Sequence, residues 1–171
     1  MSTVDLVIKG AQLPDGKTAD ICIQGESIID VTASYKGESV TTIDAKGCVV
    51  LPGLVDLHTH LREPGREDAE TVLSGSKAGA KGGFTALSAM ANTSPVADTA
   101  GVVEQVYRLG QEAGLLDVFP IGAVTQGLKG ETLSEIGAMA DSVARVRVFS
   151  DDGNCVSDPL VMRRALEYIK K

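Results

Sequence analysis

The sequence predicts an α/β protein in which a small β-sheet precedes parallel strands that alternate with helices. Two observations support this prediction. Short runs of alternating apolar and polar residues, separated by glycines, fill residues 1–50. From Leu51 onward, strand-length apolar runs alternate with longer segments whose apolar residues recur at helical spacing, a pattern typical of parallel strands joined by helical crossovers. We therefore expect two domains, residues 1–50 and 51–171.

The N-terminal domain is predicted to contain short strands only. Val4, Leu6 and Ile8 alternate with Asp5, Val7 and Lys9, and Gly10 ends this run. The later runs are rich in β-branched residues. The predicted strands are 4–8, 21–23, 27–31, 41–43 and 48–51.

The second domain is predicted to alternate strands and helices. Gly114 is placed to stop the second helix, and Asp158 with Pro159 is placed to start the last one. The predicted strands are 54–60, 84–90, 117–125 and 145–150, and the predicted helices are 67–81, 98–113, 132–144 and one that starts at Asp158.

Four strand–helix pairs are half of what a closed (β/α)8 barrel requires. Such a barrel takes about 250 residues, and this part of the chain has about half of that length. An unusual open sheet is the alternative, but we expect an N-terminal portion of a longer chain, namely half a TIM barrel.

Charge and cysteine content narrow the classes of function. The chain has 16 Lys and Arg against 23 Asp and Glu, for a net charge of −7, and its cations form no run, so we expect no nucleic-acid partner. No run approaches the roughly 18 apolar residues that span a membrane, and the N-terminus lacks a signal-peptide layout. Cys22, Cys48 and Cys155 are interpreted as packing residues in a reducing compartment. These features predict a cytoplasmic small-molecule enzyme or binding module.

The two histidines of the chain lie two residues apart at the end of a predicted strand. Because side chains alternate along a strand, His58 and His60 share one face with Asp56. Two imidazoles so placed can bind zinc or a similar cation, and the carboxyl end of a strand is where parallel α/β folds place their sites. A chance His-x-His pair is the alternative, but the position and the neighbouring motifs favour a metal site.

Two more polar side chains follow predicted strands. Arg62 lies in a turn after the histidines, and its planar guanidinium suits the carboxylate of an anionic substrate. A surface salt bridge to Glu63 or Glu67 is the alternative. Asn92 follows the next strand and can both donate and accept hydrogen bonds, although an asparagine before Thr-Ser-Pro also suits a plain turn.

An Asp-Asp-Gly motif follows the fourth predicted strand. A carboxylate at this rim can bind or bridge metals, and Asp152 has the parity of Val148 and Ser150. A turn without any ligand is the alternative. Parity does not decide between Asp151 and Asp152, because barrel strands are apolar on both faces.

Together these motifs resemble the dihydroorotases of the amidohydrolase superfamily, specifically the long bacterial class. The resemblance covers essentially the whole chain, with VDLHTHLREPG at 55–65, GGFT at 82–85, MANTSP at 90–95 and FSDDG at 149–153. It implies that residues 1–50 are part of a small β-sandwich domain and that residues 51–171 are the first four units of a metal-dependent TIM barrel.

The resemblance also implies the metal ligands. His58 and His60 match ligands from the first barrel strand, and Asp-Asp-Gly matches the ligand from the fourth, which we place on Asp152 with Asp151 as second choice. Many relatives use a carbamylated lysine there, whereas residues 145–153 contain no lysine. This difference points away from hydantoinases. The implied cofactor is Zn2+, with one or two ions per site.

The implied substrate contacts are His60, Arg62 and Asn92. A second departure from the family pattern is Ala91, where many members have proline, and we expect a local backbone difference without loss of chemistry. The family's general base and its remaining histidine ligands come from later strands. We therefore expect no catalytic base in residues 1–171, and no turnover or tight metal binding by this segment alone.

The implied reaction of the intact protein is the reversible interconversion of N-carbamoyl-L-aspartate and dihydroorotate in pyrimidine biosynthesis. The expected partners are the missing half of the barrel and further copies in a homo-oligomer, with aspartate transcarbamoylase as a candidate. Three alternatives remain open. They are a non-catalytic scaffold subunit of aspartate transcarbamoylase, a hydantoinase or allantoinase relative, and an independent half-barrel binding module.

Overall fold

The computed structural model describes residues 3–170. The chain divides into two compact units, Met1–Pro52 and Gly53–Lys171. The fold is α/β, with one mixed sheet in the first unit and one parallel sheet in the second. No helix within residues 3–170 has the length and apolar character needed to cross a membrane.

The first unit is a four-stranded sheet. Strand β1 lies between β2, which is antiparallel to it, and β4, which is parallel to it, while β3 pairs with the outer edge of β2. The strands are β1 (Val4–Gln12), β2 (Thr18–Gln24), β3 (Ser27–Thr32) and β4 (Ser39–Asp44). The predicted strand 48–51 contributes only a single bridge, between Val49 and Gln12.

The core of the first unit is formed by Val4, Val7 and Cys22, against which Tyr35 packs. Burial raises the pKa of the Cys22 thiol, so that this cysteine is a protonated packing residue, as predicted. The same interpretation is wrong for Cys48 and Cys155, which are exposed.

The second unit begins with a parallel sheet in the order β5–β6–β7. Helices follow the strands. One apolar cluster, around Val72, Leu87 and Val118, includes residues of the sheet, and a second lies around Val103 and Met139. The elements are β5 (Leu54–Thr59), α1 (Val72–Lys81), β6 (Phe84–Ala89), α2 (Ala100–Ala113), β7 (Asp117–Pro120), a 3₁₀ turn (Gln126–Leu128), α3 (Ile136–Asp141) and α4 (Pro159–Ile169).

The start of α1 differs from the prediction. The helix begins at Val72 instead of residue 67, because Thr71 and Ser74 form a capping box there. A carboxylate oxygen of Glu63 also accepts a hydrogen bond from the Val72 N–H at 2.7 Å. The predicted ends at Gly114 and Asp158 are confirmed, since Gly114 adopts a left-handed conformation and Asp158 accepts from the N–H groups of Leu160 and Val161.

The fourth predicted strand, 145–150, is wrong as a regular strand. It makes one parallel bridge, between Phe149 and Gly122. Arg145 has a left-handed φ of 46°, which interrupts an extended start. The Arg147 guanidinium donates to the carbonyl oxygens of Ala140, in α3, and of the neighbouring Val146.

The third predicted strand and the third predicted helix are also shorter than expected. Strand β7 ends at Pro120 instead of residue 125, and α3 covers Ile136–Asp141 instead of 132–144. The segment between them is stabilised by side chains, since the Ser134 hydroxyl donates to the Ala123 carbonyl oxygen at 2.5 Å. Such local bonds compete with regular secondary structure.

Candidate metal centre

The two histidines lie at the carboxyl end of β5. The Thr59 hydroxyl donates to the carbonyl oxygen of Ser88 at 2.9 Å, and the Met90 N–H donates to the carbonyl oxygen of Thr59 at 2.9 Å. These bonds fix the end of β5 against the end of β6. The rings of His58 and His60 meet edge to face, with centroids 5.1 Å apart.

Asp152 closes the arrangement from the segment after Phe149. One of its carboxylate oxygens is 3.4 Å from Nε2 of His58, and the other is 3.4 Å from Nε2 of His60. The three side chains therefore converge through one nitrogen of each imidazole and a shared carboxylate. Asp56, which has the parity of the histidines, stays outside this group, and its carboxylate accepts from the backbone N–H of His58 instead.

Asp151 has a different environment from its neighbour. Its side chain is buried and accepts hydrogen bonds from the N–H of Val124 at 2.7 Å, the N–H of Thr125 at 3.0 Å and the Thr125 hydroxyl. Asp151 thus fixes its own backbone to the segment that follows β7. Sequence reasoning did not find this anchor, since a buried carboxylate with backbone donors has no local sequence signal.

Asn92 contacts two members of the group. Its Oδ1 is 3.0 Å from Nδ1 of His60, and its Nδ2 donates to Asp152 at 3.3 Å. The predicted substrate contact therefore lies directly against two predicted metal ligands, which the sequence did not indicate.

Arg62 is held in a left-handed conformation, with φ of 55°, in the loop after His60. It forms no ion pair within residues 3–170, so the alternative of a salt bridge to Glu63 or Glu67 is not observed. Both carboxylates accept from backbone N–H groups instead. The bond from the Gly65 N–H to Glu67, at 2.7 Å, lowers the pKa of Glu67.

The loop that carries Arg62 packs against the loop that carries Asn92. The N–H of Ser94 donates to the carbonyl oxygen of Pro64 at 2.9 Å. Gly65 has a φ of 97°, and a Cβ atom at this position would overlap the carbonyl oxygen of Ser94. Only glycine suits this close approach, which brings the two predicted substrate-binding loops together.

The donor set fits a metal ion such as zinc. One ligand atom from each of His58, His60 and Asp152 lies within 4.8 Å of the other two, and this is the single group of its kind within residues 3–170. Two imidazole nitrogens and a carboxylate oxygen are zinc ligands, and three protein ligands leave room for further ones. The arrangement can hold a cation at the ends of the parallel strands.

Comparison with known sequences identifies similar proteins. The profile described as Dihydro-orotase-like matches residues 47–168. The chain is 64% identical over 170 residues to a dihydroorotase of Leifsonia xyli, covering 99% of this chain and 39% of that protein. It is 60% identical over 164 residues to a dihydroorotase of Streptomyces coelicolor, covering 96% of this chain and 38% of that protein. The chain thus spans about two-fifths of the length of these relatives.

Solved structures of similar fold include an L-hydantoinase from Arthrobacter aurescens. It superimposes with a TM-score of 0.70 at 27% identity, over 86% of this chain and 32% of the other. An adenine deaminase superimposes with a TM-score of 0.56 at 21% identity, over 98% of this chain and 39% of the other, which is a likeness of fold alone.

Proposed function

Since the chain belongs to the Dihydro-orotase-like family, we propose that the protein containing it is a metal-dependent dihydroorotase. Its reaction would be the reversible interconversion of N-carbamoyl-L-aspartate and dihydroorotate. The observation that carries this proposal is the convergence of His58, His60 and Asp152 at the ends of parallel strands. The resemblance to dihydroorotases extends over almost the whole chain, which supports the choice of substrate.

We also propose that the second unit is the first part of a (β/α)8 barrel and that the first unit is part of a small β-sandwich domain. The parallel β5–β6–β7 sheet with helical crossovers supports the barrel. Val55 and Leu57 on β5 are exposed, Leu57 by 73%, although a barrel strand is normally covered. The relatives are long enough to supply the covering strands.

In this proposal, His58, His60 and Asp152 hold the metal, and the charge of Asp152 offsets that of the cation. The chemistry that a bound zinc ion supplies in such a site is polarisation of the amide carbonyl and acidification of water. Arg62 binds the substrate carboxylate through its planar guanidinium, with Asn92 and His60 at the same edge of the site. Fixing that carboxylate orients the reacting groups, while the proton-transferring base lies outside residues 1–171.

A hydantoinase is the second candidate, because the L-hydantoinase fold is similar. Residues 145–153 contain no lysine that could be carbamylated, and Asp152 faces the imidazoles instead. Arg62 also matches an acidic substrate better than an uncharged hydantoin. Both features favour dihydroorotase.

The test uses the full-length gene product loaded with zinc. We expect hydrolysis of dihydroorotate with a kcat/KM well above the values for hydantoin and allantoin. His58→Ala should abolish this activity, whereas Cys155→Ser, an exposed substitution outside the group, should leave it unchanged. A preference for hydantoin or allantoin would overturn the proposal, as would zinc-loaded protein without turnover of any of the three.

We further propose a cytoplasmic homo-oligomer, with aspartate transcarbamoylase as a candidate partner. Light scattering of the purified full-length protein, alone and mixed with aspartate transcarbamoylase, tests both assemblies. A monodisperse monomer that forms no complex would contradict them.

A further inference from the structure

We propose that Asn92 is a positioning residue for the metal site, in addition to any contact with substrate. It fixes the tautomer of His60 and the orientation of Asp152 at the same time. This inference rests on the proposed function, because it concerns the same metal centre. It assigns Asn92 an effect on metal affinity, which a residue that contacts substrate alone would not have.

The orientation of the Asn92 amide follows from its two neighbours. An ionised carboxylate can only accept hydrogen bonds, so the group that faces Asp152 at 3.3 Å must be the amide nitrogen. The amide oxygen then faces Nδ1 of His60 at 3.0 Å. The opposite orientation would place two acceptors against each other at Asp152.

This orientation determines the protonation of the His60 ring. An amide oxygen accepts only, so Nδ1 of His60 must carry the hydrogen and donate it to Asn92. In the neutral ring the lone pair then lies on Nε2, the atom that faces Asp152 and the proposed metal position. A partner on the other ring nitrogen fixes a metal-binding histidine in this way.

The two histidines differ in this respect. His60 is oriented through its ring by Asn92, whereas no hydrogen bond to Nδ1 of His58 is present within residues 3–170. The His58 side chain is also the more exposed of the two, at 56% against 30%. Asn92 therefore orients His60, which is the less exposed of the two histidines.

The Asn92 amide is presented by an ordered loop. The N–H of Ala97 donates to the carbonyl oxygen of Ala91 at 3.0 Å, and the Thr93 hydroxyl donates to the carbonyl oxygen of Pro95 at 2.7 Å. The bond from the Ser94 N–H to Pro64 fixes the same loop to the one that carries Arg62. The amide is thus held in place without substrate.

The experiment measures zinc affinity of the full-length protein by competition with a chromophoric chelator, and kcat and KM for dihydroorotate separately. We expect Asn92→Ala and Asn92→Ser to weaken zinc binding about 10- to 100-fold, the usual effect of losing a partner of a metal ligand. Serine is common in turns but is too short to reach both His60 and Asp152. The Asn92→Ser variant therefore separates the loss of these two contacts from misfolding of the loop.

Two matched controls separate the roles. Ser94→Ala changes an exposed side chain of the same loop and keeps the backbone N–H that bonds to Pro64, and Arg62→Gln removes the proposed substrate contact. Both should leave zinc affinity unchanged, and Arg62→Gln should raise KM. Zinc affinity in both Asn92 variants equal to that of Ser94→Ala, with only KM raised, would overturn the inference. The zinc measurement needs no turnover, so it decides this point even if dihydroorotate proves not to be the substrate.

Discussion

Within the described residues 3–170, each unit buries one carboxylate that accepts hydrogen bonds from backbone N–H groups, and only one of the two is next to a proposed metal ligand. In the first unit, Asp20 accepts from the N–H of Gly10 at 2.9 Å and of Tyr35 at 2.8 Å. In the second, Asp151 accepts from two N–H groups and a hydroxyl. Both carboxylates accept hydrogen bonds from the backbone, but Ile21, which follows Asp20, continues β2, whereas Asp152, which follows Asp151, faces two imidazoles.

The difference shows how a metal ligand can be positioned by its neighbour in sequence. Asp151 is bonded to the segment after β7, so its own side chain is not free to bind a cation. Because the Asp151 backbone is held there, the Asp152 carboxylate extends towards His58 and His60. We infer that the first aspartate of the motif has a structural role and the second a metal-binding role.

The largest effect is expected for Asp152→Ala. The substitution removes one of three converging ligands, so zinc affinity of the full-length protein should fall by more than the roughly 100-fold typical for the loss of an outer partner. Chelator competition measures it, with Cys155→Ser as the control. An affinity equal to that of the control would remove Asp152 from the site.

Asp151→Ala should have the next largest effect. Two backbone N–H groups and one hydroxyl would lose their acceptor in a buried position, at a cost of about 1–3 kcal/mol for each unsatisfied group. Hydrogen exchange in residues 121–130 should become faster, and zinc affinity should fall about 10- to 100-fold because Asp152 is no longer held. Asp151→Asn keeps an acceptor oxygen and should change both less. Unchanged zinc affinity in the alanine variant would separate Asp151 from the metal site.

Asp20→Ala should destabilise the first unit without any effect on metal binding. It leaves the N–H groups of Gly10 and Tyr35 without their acceptor, again at about 1–3 kcal/mol for each group that stays buried. Hydrogen exchange should become faster in peptides that contain residues 10 and 35, with zinc affinity equal to that of the wild type. A loss of zinc affinity would contradict the contrast between the two carboxylates.

The smallest effect is a pH dependence of the Asp20 contribution. The backbone hydrogen bonds from Tyr35 and Gly10 lower the pKa of Asp20, so the folded state favours the ionised form. Its stabilising contribution is therefore complete above the ordinary pKa of about 3.9 and is lost as the pH falls through the lower folded value. The difference in local hydrogen exchange between wild type and Asp20→Asn should shrink across that acid range. A difference that grows towards low pH would contradict this sign.

The sequence predicted the helix ends that depend on the backbone preferences of single residues. The stops and starts at Gly114 and Asp158 depend on the backbone preferences of those residues, and both are confirmed. The helix start at Val72 was missed, because Glu67 accepts from the Gly65 N–H in the preceding loop and Thr71 caps the helix. The strand predicted at 145–150 is not regular in the structure, because Arg145 adopts a left-handed conformation and Arg147 bonds to the carbonyl oxygen of Ala140, a contact that depends on tertiary structure.

The candidate site likewise has features that a local pattern predicts and features that depend on tertiary contacts. Alternation along one strand was enough to place His58 and His60 together. It was not enough to choose between Asp151 and Asp152, because that choice depends on Val124 and Thr125, which lie far away in the sequence. The contact between Asn92 and His60 likewise joins two strand ends and has no signal within either motif.

The most direct test of the metal site is a crystal structure of the full-length protein with zinc, with anomalous data collected at the zinc absorption edge. We expect an anomalous peak within about 2.0–2.2 Å of Nε2 of His58, Nε2 of His60 and a carboxylate oxygen of Asp152. A zinc peak bound elsewhere, with these three side chains outside its coordination shell, would contradict it.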